Sequence, residues 1–511
     1  MLLKDLVAAS RTVGATRSRR TKVDALAAAL REAAPEQIET ATAYLSGVLR
    51  QRRTGLGWRS LSNLPPPAAE STLTIEQVHQ SFETVSAVSG SGSRTARTTI
   101  VDDLFARATA EEQDYLRKLV TGELRQGALD GLMLEAIAAA ADVPAMAVRR
   151  ASMLSGATIP VAVAALTEGE PALARFGLEV GRPLRPMLAS SAPDVAAAFA
   201  TTGPASQEVA VDCKVDGIRI QVHKYDGRVA VFTRTLDEIT ERLPEVVEAV
   251  ADLPARSLVL DGEAIALDRE GRARPFQETA ARTASRVDVG ALRARVPLAS
   301  YYFDLLHLDG DDLVDLPGRE RFASLSQASP VTLVVPRLIT HEVSAATTFF
   351  EEMVRAGHEG VVVKSLEAAY EAGRRGSAWV KVKPRHTLDL VVLAVEWGSG
   401  RRKDWLSNIH LGARDTDTGG FVMLGKTFKG MTDEMLRWQT ERFLELEESR
   451  SSYVVQVRPE QVVEIAFDGI QTSSRYPAGM ALRFARVVRY RDDKSAAEAD
   501  TIESVREVFE P

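Results

Sequence analysis

The spacing of apolar residues changes character along these 511 residues, and that change limits the fold more than any other feature. Up to about Ala189 apolar residues recur at three and four, as in "KVDALAAALREA" and "DGLMLEAIAAAADVPAMAVRRASML", which predicts an all-helical region. Within it "SGSGSRTAR" and "LPPPAAE" read as loops. The prolines of "GRPLRPMLASS" close that region, and from Val209 the period turns towards two. Strands are predicted at "RVAVFTRT", "SLVLDGEAIALD", "LASYYFDLLHLDG" and "GVVVKSL", with a helix at "EITERLPEVVEAV", giving a mixed, largely antiparallel α/β region to about Arg385. The rest, from "LDLVVLAVEWGSGRRKDWLSNIHLGARD" through "GFVMLGKTF" to "QVVEIAFDGIQ", sets short strands between Gly and Asp turns and predicts a small β-barrel. A chain this long exceeds what one hydrophobic core organises, so two to four domains are expected, and the changes of pattern set three, at 1–189, 190–385 and 386–511.

Composition removes several classes. No run of about 18 apolar residues is present, and the start "MLLKDLVAASRTVGATRSRR" has no hydrophobic signal core, so a cytoplasmic protein without a membrane anchor is expected. The single cysteine, Cys213, excludes an internal disulfide framework and a CxxC zinc module, and reads as a packing residue. A net charge of -7 argues against a polyanionic partner, yet residues 1–69 hold eleven basic and five acidic side chains, a local +6. A solvated helical face and a phosphate-binding surface both fit that excess.

The chemistry gathers around "VAVDCKVDGIRIQVHKYDG". Val209, Val211, Cys213 and Val215 alternate onto one strand face, which puts Asp212 and Lys214 on the other, and Asp216-Gly217 supports a tight turn. A lysine followed by Asp-Gly recurs by chance in about one of 8000 windows, so alone it is as consistent with a surface lysine. Its company is more specific. "LDGE" supplies Glu263, "YYFDLLHLDG" supplies Phe303, and "EGVVVKSLEAAYEAGRRGSAWVKVK" carries Glu359, Lys364, Trp379, Lys381 and Lys383. "MALRFARVVRYRDDK" closes the series with Arg486, Arg491, Asp493 and Lys494.

In order and spacing these motifs resemble the covalent nucleotidyltransferases, specifically the ATP-dependent DNA ligases. The likeness extends to "GELRQGALDGLMLEAIA" and "RPLRPMLA", which resemble the helical DNA-binding domain of the larger members, and so covers nearly the whole chain. It implies an all-α DNA-binding domain, a nucleotidyltransferase domain and a C-terminal OB-fold barrel. It also implies that Lys214 is the nucleophile that becomes adenylated, with Glu263 and Glu359 as metal-binding glutamates and Phe303 as the adenine-stacking ring. Lys364, Lys381 and Lys383 take the positions of phosphate-binding lysines, and Arg219 and Arg234 those of nucleotide and nick-phosphate contacts. Asp212, Arg375, Arg486 and Lys494 complete the nucleotide set, the last within the RxDK ending that orients pyrophosphate in the family. Asp212 stands where many relatives have glutamate, and Ala485 where proline is common. ATP and Mg2+, or Mn2+ in its place, are the expected cofactors; nicked duplex DNA is the expected partner of a monomeric enzyme, and a sliding clamp is left unassigned.

Elementary chemistry asks for the same parts. A lysine of ordinary pKa, about 10.4, is protonated at neutral pH and cannot attack phosphorus. Cations such as Lys381, Lys383 and a bound metal would lower that pKa, and hard carboxylates such as Glu263 and Glu359 suit magnesium. An RNA ligase or capping guanylyltransferase uses the same lysine, but the helical N-terminal region argues against both. A catalytically silent nick-binding protein remains the alternative from another class. An NAD-dependent ligase is disfavoured, because one cysteine cannot build its tetracysteine zinc site.

Overall fold

The structure is a computed structural model that describes residues 1–51, 53–124, 130–203, 207–372 and 375–509. It forms two compact units, Met1–Lys381 and Val382–Pro511.

The first unit begins with the predicted helices, from Leu3–Ala15 to Glu170–Leu173, around a core that includes Leu6, Leu26, Tyr44, Phe82 and Phe105. Local signals set their ends. In the helix Ala110–Thr121, the N-cap Thr109 hydroxyl accepts from the Glu112 amide (3.4 Å), and the Glu112 carboxylate accepts from the Thr109 amide (2.8 Å). Gly122, at φ 70°, ends the same helix in the left-handed region that suits glycine. The stretch "SGSGSRTAR" is only partly a loop: Gly92, at φ 80°, turns the chain and the helix Ser93–Ala106 starts directly after it. "RQGAL" of the N-terminal motif lies outside the described residues.

Two five-stranded sheets follow. One has the order β1 (Leu188–Ser191), β10 (Arg375–Val382), β9 (Gly360–Ser365), β2 (Val209–Lys214), β8 (Arg337–Thr340). The other has the order β4 (Arg228–Thr233), β3 (Ile218–Tyr225), β5 (Leu258–Ala266), β6 (Leu298–Leu308), β7 (Asp311–Asp312), all antiparallel. β2 runs antiparallel between β9 and β8 and is buried from Val209 to Cys213, so both its faces are covered and Asp212 is interior. Met153 and Leu154 of the helix Ala145–Ser155 pack with Leu184, Met187, Tyr370 and Trp379, joining the helical and sheet parts in one unit.

The second unit is strand-rich, as expected. β11 (His386–Trp397) pairs with β12 (Leu406–Arg414), β15 (Val454–Val457) and β16 (Val462–Phe467). β13 (Phe421–Thr427), β14 (Glu447–Arg450) and β19 (Arg486–Tyr490) extend that seven-stranded sheet, while β17 (Gly469–Thr472) and β18 (Met480–Arg483) form a hairpin. The helix Asp433–Glu445, capped by Thr432 and led by Asp433 and Glu434, packs Leu436 and Phe443 into the core of this unit.

Candidate active site

Lys214 ends β2, and the Asp216-Gly217 turn carries the chain into β3, so the lysine lies where one sheet hands over to the other. Gly217 is required by the close approach of β5: a Cβ there would sit 2.4 Å from the Ala264 carbonyl. Its amide donates to the Glu263 carboxylate (3.2 Å), opposite Arg219 in the β3–β5 pairing. The Lys214 ammonium forms an ion pair with Glu359, and the Glu359 amide donates to the Lys214 carbonyl (2.9 Å), anchoring the segment ahead of β9 to the strand of the lysine. The pair is only partly accessible, at 19% and 16% of the two side chains.

The electrostatics differ from the cation-lowered lysine expected above. Burial opposes the charge on Lys214, but Glu263, Glu359 and Asp216 outweigh it and hold the ammonium above its ordinary pKa. Burial pushes Glu263 above the usual carboxylate range, with the neighbouring Glu359 charge adding to it, despite Lys214, the Gly217 amide and Arg219. Among the described residues no group of three or more His, Cys, Asp or Glu forms a cation cage. Two hard carboxylates on one lysine nevertheless fit a divalent cation that takes its remaining ligands from phosphate and water, and such a cation would relieve the charge that Glu263 carries unwillingly.

Beside the lysine lies an aromatic and cationic cluster. Lys364 of β9, 2% exposed, places Nζ 4.3 Å from the Phe303 ring centroid and 4.1 Å from that of Trp379. Arg219 of β3 lies over the same two rings, at 5.3 and 5.8 Å. Its guanidinium is held by both oxygens of Asp261 (3.0 and 2.6 Å), the Met187 carbonyl (2.6 Å) and the Tyr370 hydroxyl (3.3 Å). Asp212 pairs with Arg337 and Lys364; burial opposes its charge, but the two cations hold it below the usual carboxylate range.

The first unit therefore brings Asp212, Lys214, Arg219, Glu263, Phe303, Glu359 and Lys364 together. Lys381 lies on β10 opposite Ser191 of β1, and Arg234 is exposed in the turn after β4. The side chain of Arg375 lies outside the described residues. The other predicted residues belong to the second unit: Lys383 (3.1 Å) and Arg486 (3.2 Å) share Asp468, while Lys494 (2.6 Å) and Arg491 (3.0 Å) share Asp389 of β11. Sequence reasoning missed Asp261, Tyr370 and Arg337. Asp261 stood inside the quoted "LDGE" and Tyr370 inside the motif after Glu359, but nothing in the local pattern around Arg337 marked it.

Comparison with known proteins gives this arrangement its class. Residues 58–138 match the family described as DNA ligase N terminus, 186–383 the ATP dependent DNA ligase domain, and 402–494 the ATP dependent DNA ligase C terminal region. A solved structure described as "Pmar-Lig_PreS3" superposes with a TM-score of 0.63 at 18% identity, covering 95% of this chain and 99% of its own, which shows a shared fold. This is the three-domain architecture of ATP-dependent ligases, with a helical N-terminal region and a β-rich C-terminal one. Proteins described as "Probable DNA ligase" from Nocardioides sp. and Beutenbergia cavernae are each 62% identical, the first over 99% of this chain and 98% of its own, the second over 99% of both. The chain belongs to the ATP-dependent DNA ligase family.

Proposed function

We propose that this ligase seals nicks between a 3'-hydroxyl and a 5'-phosphate in duplex DNA through a lysyl-AMP formed on Lys214. The observation that carries the reading is the placement of Lys214 at the junction of the two sheets, paired with Glu359 and beside Glu263. The Lys214 ammonium gives up a proton to water, the neutral Nζ attacks the α-phosphorus of ATP, the bond to pyrophosphate breaks, and the second nitrogen proton leaves with the pyrophosphate. The 5'-phosphate oxygen then attacks the same phosphorus and frees Lys214, and the 3'-hydroxyl attacks the 5'-phosphorus and displaces AMP. Glu263 and Glu359 would hold a divalent cation, Mg2+ or Mn2+ in its place, which supplies positive charge where the phosphate oxygens gather negative charge.

Phe303 offers a stacking face for adenine, backed by the buried Trp379, with Lys364 and Arg219 fixed over both rings. Asp212 acts as a structural anion rather than an adenine contact, since both its oxygens are engaged by Arg337 and one also by Lys364. Lys381, Lys383, Arg234, Arg375, Arg486 and Lys494 keep the phosphate and nick contacts that the family resemblance assigns. The domains follow 1–189, 190–385 and 386–511, with an OB-fold as the last, in a monomeric cytoplasmic enzyme. Among the described residues, no helix is long and apolar enough to cross a membrane.

Labelled ATP, NAD and GTP offered separately test the reading. Covalent label from ATP, mapped to Lys214 and chased into a sealed DNA nick, is the expected result. Label from GTP alone, no label at all, or sealing confined to RNA nicks would replace it.

A further inference from the structure

Asp212, two residues before Lys214 on β2, is 1% exposed. Its two oxygens accept from Nε (2.5 Å) and Nη2 (2.8 Å) of Arg337, the residue directly opposite on β8. The same Nη2 donates to the Phe303 carbonyl (2.8 Å) on β6, in the other sheet. One planar guanidinium thus ties the strand of Lys214 to the strand of the ring beside the lysine, and its carbon rests 3.8 Å from the centroid of Phe322. Nη1 of Arg337 is buried without a hydrogen-bond partner among the described residues. A buried donor left unmet costs stability, so this side chain is a poor choice for stability alone and a good one for fixing a distance between two sheets.

We propose that Arg337 is a positioning residue for self-adenylation: by clasping Asp212 and the Phe303 carbonyl, it fixes the strand end that presents the Lys214 amine relative to the ring that receives the nucleotide. The proposal rests on reading Lys214 as the nucleophile. Arg337→Met leaves Asp212 and Lys364 as a balanced pair but removes the link to β6. Arg337→Lys keeps the charge, yet an ammonium cannot span both carboxylate oxygens and a carbonyl in one plane.

The test uses the full-length chain and reads three quantities: single-turnover formation of the covalent adduct across an ATP series, sealing of a pre-adenylated nick, and the melting temperature. A misplaced nucleophile should lower the maximal rate of adduct formation by about 100-fold in Arg337→Met and by less in Arg337→Lys. Sealing of the pre-adenylated nick, which needs no lysine nucleophile, should stay within about threefold of wild type. Parallel loss in both reactions would mean a merely structural role and overturn the proposal, as would wild-type adduct formation in either variant. If the methionine variant does not fold, the lysine variant decides on the same criteria. An adduct that persists in Lys214→Ala overturns the nucleophile assignment itself, whereas undiminished adduct in the Arg337 variants overturns this proposal alone.

Discussion

At Lys214 the resting charge is set by carboxylates, because Glu263 and Glu359 hold the ammonium against the cost of burial, and the proposed attack on ATP requires its discharge. Lys214→Arg should fold and form no covalent AMP, since a guanidinium stays protonated and offers no lone pair; mass spectrometry after incubation with ATP checks it, and any adduct on that residue refutes the assignment. Glu263 makes the complementary prediction. Its folded-state pKa is raised, chiefly by burial, so the fold favours the protonated acid: that stability is fully present below the unfolded value, about 4.3, and is lost as pH rises through the folded one. Ionised Glu263 therefore costs stability at neutral pH. Glu263→Gln should raise the melting temperature at pH 7.5 in the absence of divalent cations, with the gain shrinking as pH falls towards about 4, while adduct formation drops sharply. A melting temperature that is lower at pH 7.5 would contradict this account.

The elements around the site are held by a few close approaches. β3 and β5 meet tightly enough at the turn after Lys214 that a Cβ on residue 217 would lie 2.4 Å from a backbone carbonyl, which cannot yield as a side chain would. Gly217→Ala should therefore cost about 1–3 kcal/mol by urea unfolding and displace the amide that binds Glu263. An unchanged midpoint would show that the turn has room to shift. Which elements were legible follows from the same local rules. "SLVLDGEAIALD" and "GVVVKSL" became β5 and β9 because alternation and turn residues agreed. "EITERLPEVVEAV" became a short 3-10 turn followed by the helix Pro244–Ala251, because the proline at the first helical position divides it. The helix Asp433–Glu445 was overlooked among strands although its threonine cap and acidic first turn were visible.

For the whole molecule the question is how an acidic chain grips DNA. Arg53, Arg59 and Arg94 are exposed in the helical part of the first unit. Phosphate contacts of this kind position the duplex without reading its sequence, so affinity should fall steeply with salt. Replacing the three with glutamine should reduce the slope of log affinity against log salt by roughly 0.9 for each phosphate that is no longer neutralised, with adduct formation at Lys214 unchanged. Coincident salt curves for nicked duplex would assign these arginines to a merely solvated face. The boundary drawn at residue 189 also acquires a physical qualification. Met187 stands on its helical side, yet its carbonyl is one of the acceptors that fix Arg219, and Gly181 donates its amide to His223 (2.9 Å) on β3.

By itself the sequence determined the three-part organisation and singled out Lys214 as the proposed nucleophile, because apolar period, turn residues and motif order are properties of neighbours along the chain. It could not determine what faces that lysine. Glu359 is 145 residues away and reaches Lys214 only because β9 pairs with β2. Arg337 reaches Asp212 only because β8 lies on the other side of β2, and the Phe303 carbonyl only because β6 of the second sheet packs there. Lys383 looked like a neighbour of Lys381 in the motif, yet its ammonium pairs with Asp468 of the second unit. Strand order is a long-range packing choice, decided by burying whole faces at once, and charges inherit their partners from it.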